Sequence, residues 1–342
     1  RVTLLEAGEP GREASWASAG MVAPQLEGHP GGRPFFEACR RSRGLYPDFV
    51  RALEEEAGLA IGFGTGGSIG VALRESEMET MRRSAAWQRE QGLGAQVLGE
   101  TELRRRLPGV SPRALGGVFF PEDAWVDNRR LMKALIASLH RSGITLHTGE
   151  PVLRFTGSPQ RVDGVRTPHG NLSAGLVIDA AGAWASSISG IPPGELHVEP
   201  VRGQMVMLGA ADTGLRSVVH SEGVYLVPRG PHQLLVGSTV EKAGFDRRVT
   251  AGGMARLLRR AVRLLPALKQ ASVLDAWCGF RPYAGRRSPV FKASRRSGLW
   301  YATGHFRNGI LLAPLTAVEV AGRLAGARQP RRAPARQAHD QP

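Results

Sequence analysis

Cysteine is almost missing from this chain. There are two in 342 residues, Cys39 and Cys278. Neither sits in a Cys-x-x-Cys pair, and no histidine cluster has metal-ligand spacing. That pattern argues against a disulfide scaffold and a structural metal, and it fits a reducing, cytoplasmic setting. Apolar runs of the roughly 18 residues that begin to suggest a membrane span are also missing. Acidic residues are scarce beside basic ones, 30 Asp+Glu against 45 Lys+Arg, for a formal net charge of +15. Aromatics make up only 6%. They do not interleave with the basic clusters, which disfavours a base-stacking nucleic-acid face. The excess is mostly arginine and spreads along the chain, thickening at 104–106, 247–248, 256–263, 286–287 and 295–296. It reads as an anion-attracting surface. An initiating Met is absent as well. Arg1 opens directly on a strand, so the front of the first domain is expected to lie upstream.

What is present is an ordinary globular composition, 42% hydrophobic, with 44 Gly and 23 Pro that imply many tight turns and show no repeat. Residues 2–5 read as a buried parallel strand. Residues 13–24 read as a loop of small side chains. Helical spacing runs over 34–57, 75–92, 130–142, 250–265 and 310–325, with Asp127 as a cap for the third of these. Residues 176–179 form an apolar strand that runs into Ala180-Ala181-Gly182-Ala183-Trp184. From 198 to 238 the pattern alternates with period two, the mark of an antiparallel sheet. The tail from 328 to 342, rich in Arg, Pro and Gln, reads as disordered. Parallel-type strands at both ends and in the middle, with antiparallel ones between, predict one layered nucleotide-binding domain assembled from separate stretches and a substrate domain inserted twice.

Four local features could carry chemistry. Glu6 closes the first strand, where an acid can accept hydrogen bonds from a ribose diol or can simply cap a turn. The Gly-x-Gly-x-x-Gly turn that accompanies such an acid would fall about 20 residues earlier, before Arg1. Residues 15–21 are small enough to let a planar ligand pass close by; a plain surface loop is the other reading. Residues 180–184 permit close approach at a strand's carboxyl end, or tight packing of strand on helix. Finally, Gly304-His305-Phe306-Arg307-Asn308-Gly309-Ile310 precedes the last helix, where free backbone N–H groups form an anion site.

The stretch ATGHFRNGILLAP at 302–314 closely resembles the glycine oxidases of bacterial thiamine synthesis, members of the D-amino-acid oxidase group of FAD proteins. Further matches occur in the same order: VTLLEAG, SWASAGMVAP, EPV, DAAGAWAS, PVRGQM, YLVPR and FRP. Together they cover residues 1 to about 327. The resemblance implies a Rossmann-like FAD domain of the glutathione-reductase type (α/β combined with α+β) at 1–40, 120–195 and 285–327. An antiparallel-sheet substrate domain would occupy 41–119 and 196–284. It implies non-covalent FAD held at Glu6, Ala7, Ala14, Ser15, Ala19, Gly20, Met21, Val152, His305, Phe306, Arg307, Asn308, Gly309, Ile310 and Leu311. It makes Arg281, Arg307 and Tyr225 the substrate contacts. A planar guanidinium such as Arg281 grips a carboxylate through two parallel hydrogen bonds, which is independent support for that role.

The implied reaction is oxidation of glycine or a similar small amine, with dioxygen as acceptor and self-association as the other partner class. Sarcosine oxidase and D-amino-acid dehydrogenase share the pattern, and a non-catalytic binding protein is a different class of reading. The chain departs from the family after Pro282. A Thr, an Asp-Gly pair and a Pro-x-Ile-Gly turn give way to Tyr283-Ala284-Gly285-Arg286-Arg287-Ser288-Pro289-Val290. Cys278, near where some relatives tether flavin covalently, reads as a small buried hydrophobe.

Overall fold

The computed structural model describes residues 1–28, 32–209, 214–221 and 223–327. The tail read as disordered lies outside them. In chain order, β1 (Thr3–Glu6) leads into a single helical turn, α1 (Ala14–Ala17), and then β2 (Met21–Val22). Helix α2 (Arg33–Ala57) starts with Pro34 in its first turn and stops at Gly58, whose φ of 66° and N–H to Glu54 O form a left-handed cap. Strands β3 (Phe63–Gly64) and β4 (Ser68–Ala72), helix α3 (Glu75–Glu90), β5 (Gln96–Gly99), helix α4 (Glu100–Arg106), β6 (Gly116–Phe120) and β7 (Ala124–Val126) follow. The Asp127 side chain accepts from the N–H groups of Arg129 and Arg130 and so caps α5 (Asn128–Arg141) as its sequence predicts.

The second half holds β8 (Thr145–Thr148), β9 (Arg154–Gly157), β10 (Val162–Thr167), β11 (Gly170–Ser173), β12 (Val177–Asp179), β13 (Glu199–Gly209), β14 (Val218–Ser221), β15 (Val224–Pro228) and β16 (Gln233–Gly237). Helix α6 (Ala251–Leu264), capped by Thr250, then leads to β17 (Ser272–Tyr283), β18 (Val290–Ala293), β19 (Leu299–Thr303) and α7 (Gly309–Ala327).

Two kinds of sheet result. The pairs β1–β8 and β12–β19 are parallel. An eight-stranded sheet runs β17-β13-β16-β15-β14-β4-β6-β5, antiparallel except between β14 and β4. The two stretches predicted for a substrate domain thus share one sheet. Helix α2 crosses the boundary expected between residues 40 and 41, because its apolar face continues: Cys39, Tyr46, Val50 and Leu53 pack with Leu131 of α5 and Leu311 and Leu312 of α7. Strand β1 departs from expectation in burial. Val2 is 59% exposed and Leu4 37%, because among the described strands β1 pairs only with β8. The short strands β5, β7 and β18 were not anticipated; each is only 3 or 4 residues long and is held by pairing with strands distant or adjacent in the chain rather than by a pattern of its own.

Side chains of the large sheet alternate faces. Val206, Leu208, Leu226, Leu234 and Val236 point one way, onto Leu257, Ala261 and Leu264 of α6. Met205, Tyr225, Val227 and Leu235 point the other way, toward Ala19 and Trp125. The site lies on this second face.

Candidate active site

Cross-strand register builds the first wall. Trp277 of β17 lies opposite Met205 of β13, Met205 opposite Gly237 of β16, Gly237 opposite Tyr225 of β15, and Tyr225 opposite His220 of β14. Two positions farther along β17 and β13, on the same face, stand Gly279 and Gly203, and beyond them Arg281 opposite Val201. The glycines are dictated by space. A Cβ on Gly203 would lie 2.2 Å from the Arg281 guanidinium, and one on Gly279 would lie 2.4 Å from Ala17 Cβ. They let Arg281 lie flat across its neighbour strand and let α1 approach the sheet.

The second wall is the small-residue segment from α1 to β2. Gly20 has φ 64°, and a Cβ there would meet Val126 O at 2.0 Å. The buried Arg229 pins the segment to the sheet, donating to Ala19 O at 2.6 Å and Asn128 Oδ1 at 3.0 Å. Burial lowers its guanidinium to about 10. Asn128 in turn donates to Ser15 O and Trp16 O.

The third side is the turn from β19 into α7. Gly304 (φ 75°) and Phe306 (φ 49°) both take left-handed backbone, and the Phe306 N–H donates to Pro282 O at 2.9 Å. This tight reversal turns the start of α7 toward the cavity. The N–H groups of the first helical turn have no partner inside the helix, and they carry the positive end of its dipole. His305 Nε2 lies 3.0 Å from Thr316 Oγ1. Burial pulls its imidazole down to about 4, so the ring is neutral at pH 7.

These walls enclose a cavity of about 450 Å³. It gathers Ala14, Ser15, Ala19, Gly20, Met21, Tyr225, Arg281, His305, Phe306, Arg307, Asn308, Gly309 and Ile310 from the sequence-derived residues. Four others lie elsewhere. Leu311 is 1% exposed in the core between α2, α5 and α7. Glu6, Ala7 and Val152 do not line the cavity. Glu6 and Val152 are joined through the chain: Glu150 N–H donates to Glu6 O at 2.9 Å, and Leu5 and Val152 pack on one apolar cluster. Glu6 Oε1 accepts the Gly8 N–H at 2.9 Å, the turn-capping contact that was one of its two readings.

The two arginines of the cavity differ. Arg281 donates to Ser238 Oγ at 2.6 Å, Thr239 O at 3.1 Å and Arg202 O at 3.4 Å, and forms no ion pair among the described residues. Burial lowers its pKa. Arg307 is exposed and meets the Glu27 carboxylate at 2.7 Å. Tyr225 is buried, its hydroxyl 3.4 Å from Met205 Sδ.

Sequence reading missed Gly203, Gly279, Ser238, Glu27 and Arg229. Gly203 and Arg229 stand inside quoted motifs, but only strand register shows what they touch. Asp179, at the end of β12 beside the cavity-lining Ala180, was also missed. One of its oxygens takes the Ala181 N–H, and the other is buried without a partner. Burial pushes its carboxyl up to about 6.

A flat, partly anionic group fits this donor set. Small side chains leave room on one side, a helix N-terminus and a neutral imidazole supply polarity on another, and a half-buried cation with no ion pair among the described residues stands on the sheet wall. Those are the demands of a flavin above which a carboxylate is held.

The comparisons agree. The chain is 35% identical to the glycine oxidase of Geobacillus kaustophilus over 326 residues, covering 94% of this chain and 85% of that protein. It is 34% identical over 313 residues to the bifunctional protein ThiO/ThiG of Trichormus variabilis, covering 90% of this chain but only 46% of that longer protein. It thus spans less than half of that relative. The crystal structure of the Geobacillus kaustophilus glycine oxidase superposes with a TM-score of 0.89, covering 97% of this chain and 89% of that one. Residues 1–323 match the model of the FAD dependent oxidoreductase family, and the chain belongs to that family.

Proposed function

We propose that the chain oxidises glycine, or a similarly small primary or secondary amine such as sarcosine or a small D-amino acid. The imine product is hydrolysed to the 2-oxo acid and ammonia, or to the 2-oxo acid and a primary amine where the substrate is a secondary amine, and dioxygen is reduced to hydrogen peroxide. The observation that carries this reading is Arg281, a half-buried guanidinium with three neutral acceptors and no carboxylate in ion-pair contact among the described residues, set in the wall of the cavity. A half-buried cation left so is completed by an anion from outside, and the planar fork suits a carboxylate. Relatives named glycine oxidase support the choice of amine. Those named ThiO/ThiG support a role in supplying the thiazole of thiamine.

Bound FAD would supply the redox chemistry, an acceptor for the hydride equivalent from the substrate Cα and a donor of two electrons to dioxygen. The protein's share is placement. Arg281 fixes the carboxylate, which sets where Cα lies. Tyr225 closes the pocket on the sheet side, and Arg307 stands at its exposed rim. Ala14, Ser15, Ala19, Gly20 and Met21 on one side, and the segment from His305 to Ile310 on the other, are the residues we assign to the ring and its linker. Leu311 supports that segment from the core. Glu6, Ala7 and Val152, together on a separate edge, are assigned to the ribose and adenine. By the same reading, 1–40, 120–195 and 285–327 serve FAD, and 41–119 with 196–284 serve the substrate.

The test is peroxide release from the FAD-loaded chain with glycine, sarcosine and D-alanine. Glycine-dependent peroxide is expected, and its absence overturns the reading. Arg281→Lys keeps the charge but loses the fork. It is expected to raise KM for glycine at least about tenfold, from charge-assisted bonds of about 1.5–3 kcal/mol.

A further inference from the structure

A second cavity of about 270 Å³ adjoins the first, sharing Met21, Leu26, Glu27 and Arg307 with it. Gly28, His220 and Arg287 line only this second one. Its charges do not balance. Arg287 and Arg307 both reach it, against the single carboxylate of Glu27, which is already engaged by Arg307 at 2.7 Å. Arg287 has no ion-pair or hydrogen-bond partner among the described residues. His220 is held neutral by burial, its imidazole pulled down to about 4. Both guanidiniums are solvent-exposed, and two like charges facing one open cleft give it a positive surface potential that attracts an anion. Arg287 belongs to the segment after Pro282 where this chain leaves the pattern it otherwise resembles.

We propose that this second cavity is a subsite for a second carboxylate on the substrate, gripped by Arg287 and Arg307, so that the enzyme prefers amines with an acidic arm over neutral ones of the same size. This rests on the reading of Arg281 as the site for the first carboxylate. Arg281 would hold one end of the substrate and the second cavity the other, with the reacting carbon between them. Arg307 is exposed while the Glu27 side chain is largely covered, so Arg307 keeps its contact with Glu27 and presents its remaining N–H groups, beside Arg287, to the incoming carboxylate.

The test uses two ligands that cannot be oxidised at nitrogen: thiodiglycolate, with two carboxylates, and (methylthio)acetate, with one. Dissociation constants are measured by calorimetry on the FAD-loaded chain. Thiodiglycolate is expected to bind at least tenfold more tightly. Arg287→Gln is expected to erase most of that preference, and Arg287→Lys to keep most of it. Equal affinities in the native protein, or a preference that survives Arg287→Gln, overturn the subsite while leaving Arg281 in its role. Failure of both ligands to bind overturns the role of Arg281 and the subsite together. The matching kinetic readout is the ratio of kcat/KM for iminodiacetate to that for N-propylglycine, which falls about tenfold in Arg287→Gln if the subsite exists.

Discussion

The two ends of the cavity hold the same side chain in opposite circumstances. Arg281 lies on β17, an edge strand of the eight-stranded sheet, held by three neutral acceptors and given room by the missing Cβ of Gly203. Arg307 lies at the rim in the turn before α7, exposed and paired with a carboxylate. The first carries no ion pair among the described residues, and the second is compensated and exposed. On the proposed reading, identical chemistry gives an anchor at one end and a rim contact at the other, and surroundings decide which.

Substitution of each arginine tests that contrast most directly. Arg281→Ala is expected to lower kcat/KM for glycine about 100-fold, within the about 1.5–3 kcal/mol of charge-assisted hydrogen bonds. Comparable losses from Arg281→Ala and Arg307→Ala would break the contrast. Gly203→Ala probes the anchor without touching its charge. The new methyl group would press on the guanidinium from 2.2 Å, so KM is expected to rise about tenfold through misplacement of the carboxylate. A wild-type KM would show that Arg281 is free to move. Arg307→Ala is expected to cost less than about fivefold in KM, in the range of an exposed pair at about 0–1 kcal/mol, and the loss shrinks in high salt.

An effect on stability rather than on catalysis concerns the two histidines, His305 beside the helix N-terminus and His220 beside Arg307. Both are pulled from 6.5 to about 4 in the folded chain by burial. A depressed histidine contributes stability that is present above pH 6.5 and is lost as pH falls toward about 4, because the unfolded chain binds the proton first. Denaturant titrations across that window should show the native protein losing stability relative to His305→Gln, and likewise relative to His220→Gln. Parallel curves would show that these rings are already solvated. Comparing each variant with the native protein isolates the ring from Asp123 and Asp179, whose carboxyls are raised to about 7 and about 6 and act with the opposite sign.

Much of this was legible beforehand because local chemistry is written locally. Period-two alternation marked β13 to β16. The Asp127 cap marked the start of α5. The heptad before α7 announced a helix N-terminus facing a ligand. Ordered short motifs pointed to the flavin family and to Arg281, Tyr225 and Arg307. What stayed hidden depended on partners far away in the chain. Gly203 looks like any strand glycine until β17 brings Arg281 across it. Ser238 is an ordinary hydroxyl until Arg281 donates to it over a separation of 43 residues.

The sequence by itself thus determined the elements, the family and the residue types at the site, since caps, periodicity and motifs are read within a few residues of themselves. Only the tertiary structure showed which of the two arginines lacks an ion-pair partner among the described residues, that a second cavity adjoins the first, and that Glu6 and Val152 lie together outside both. Those facts follow from strand register and burial. A guanidinium's behaviour is set by the dielectric and the partners that distant strands deliver to it, and no spacing along the chain encodes them.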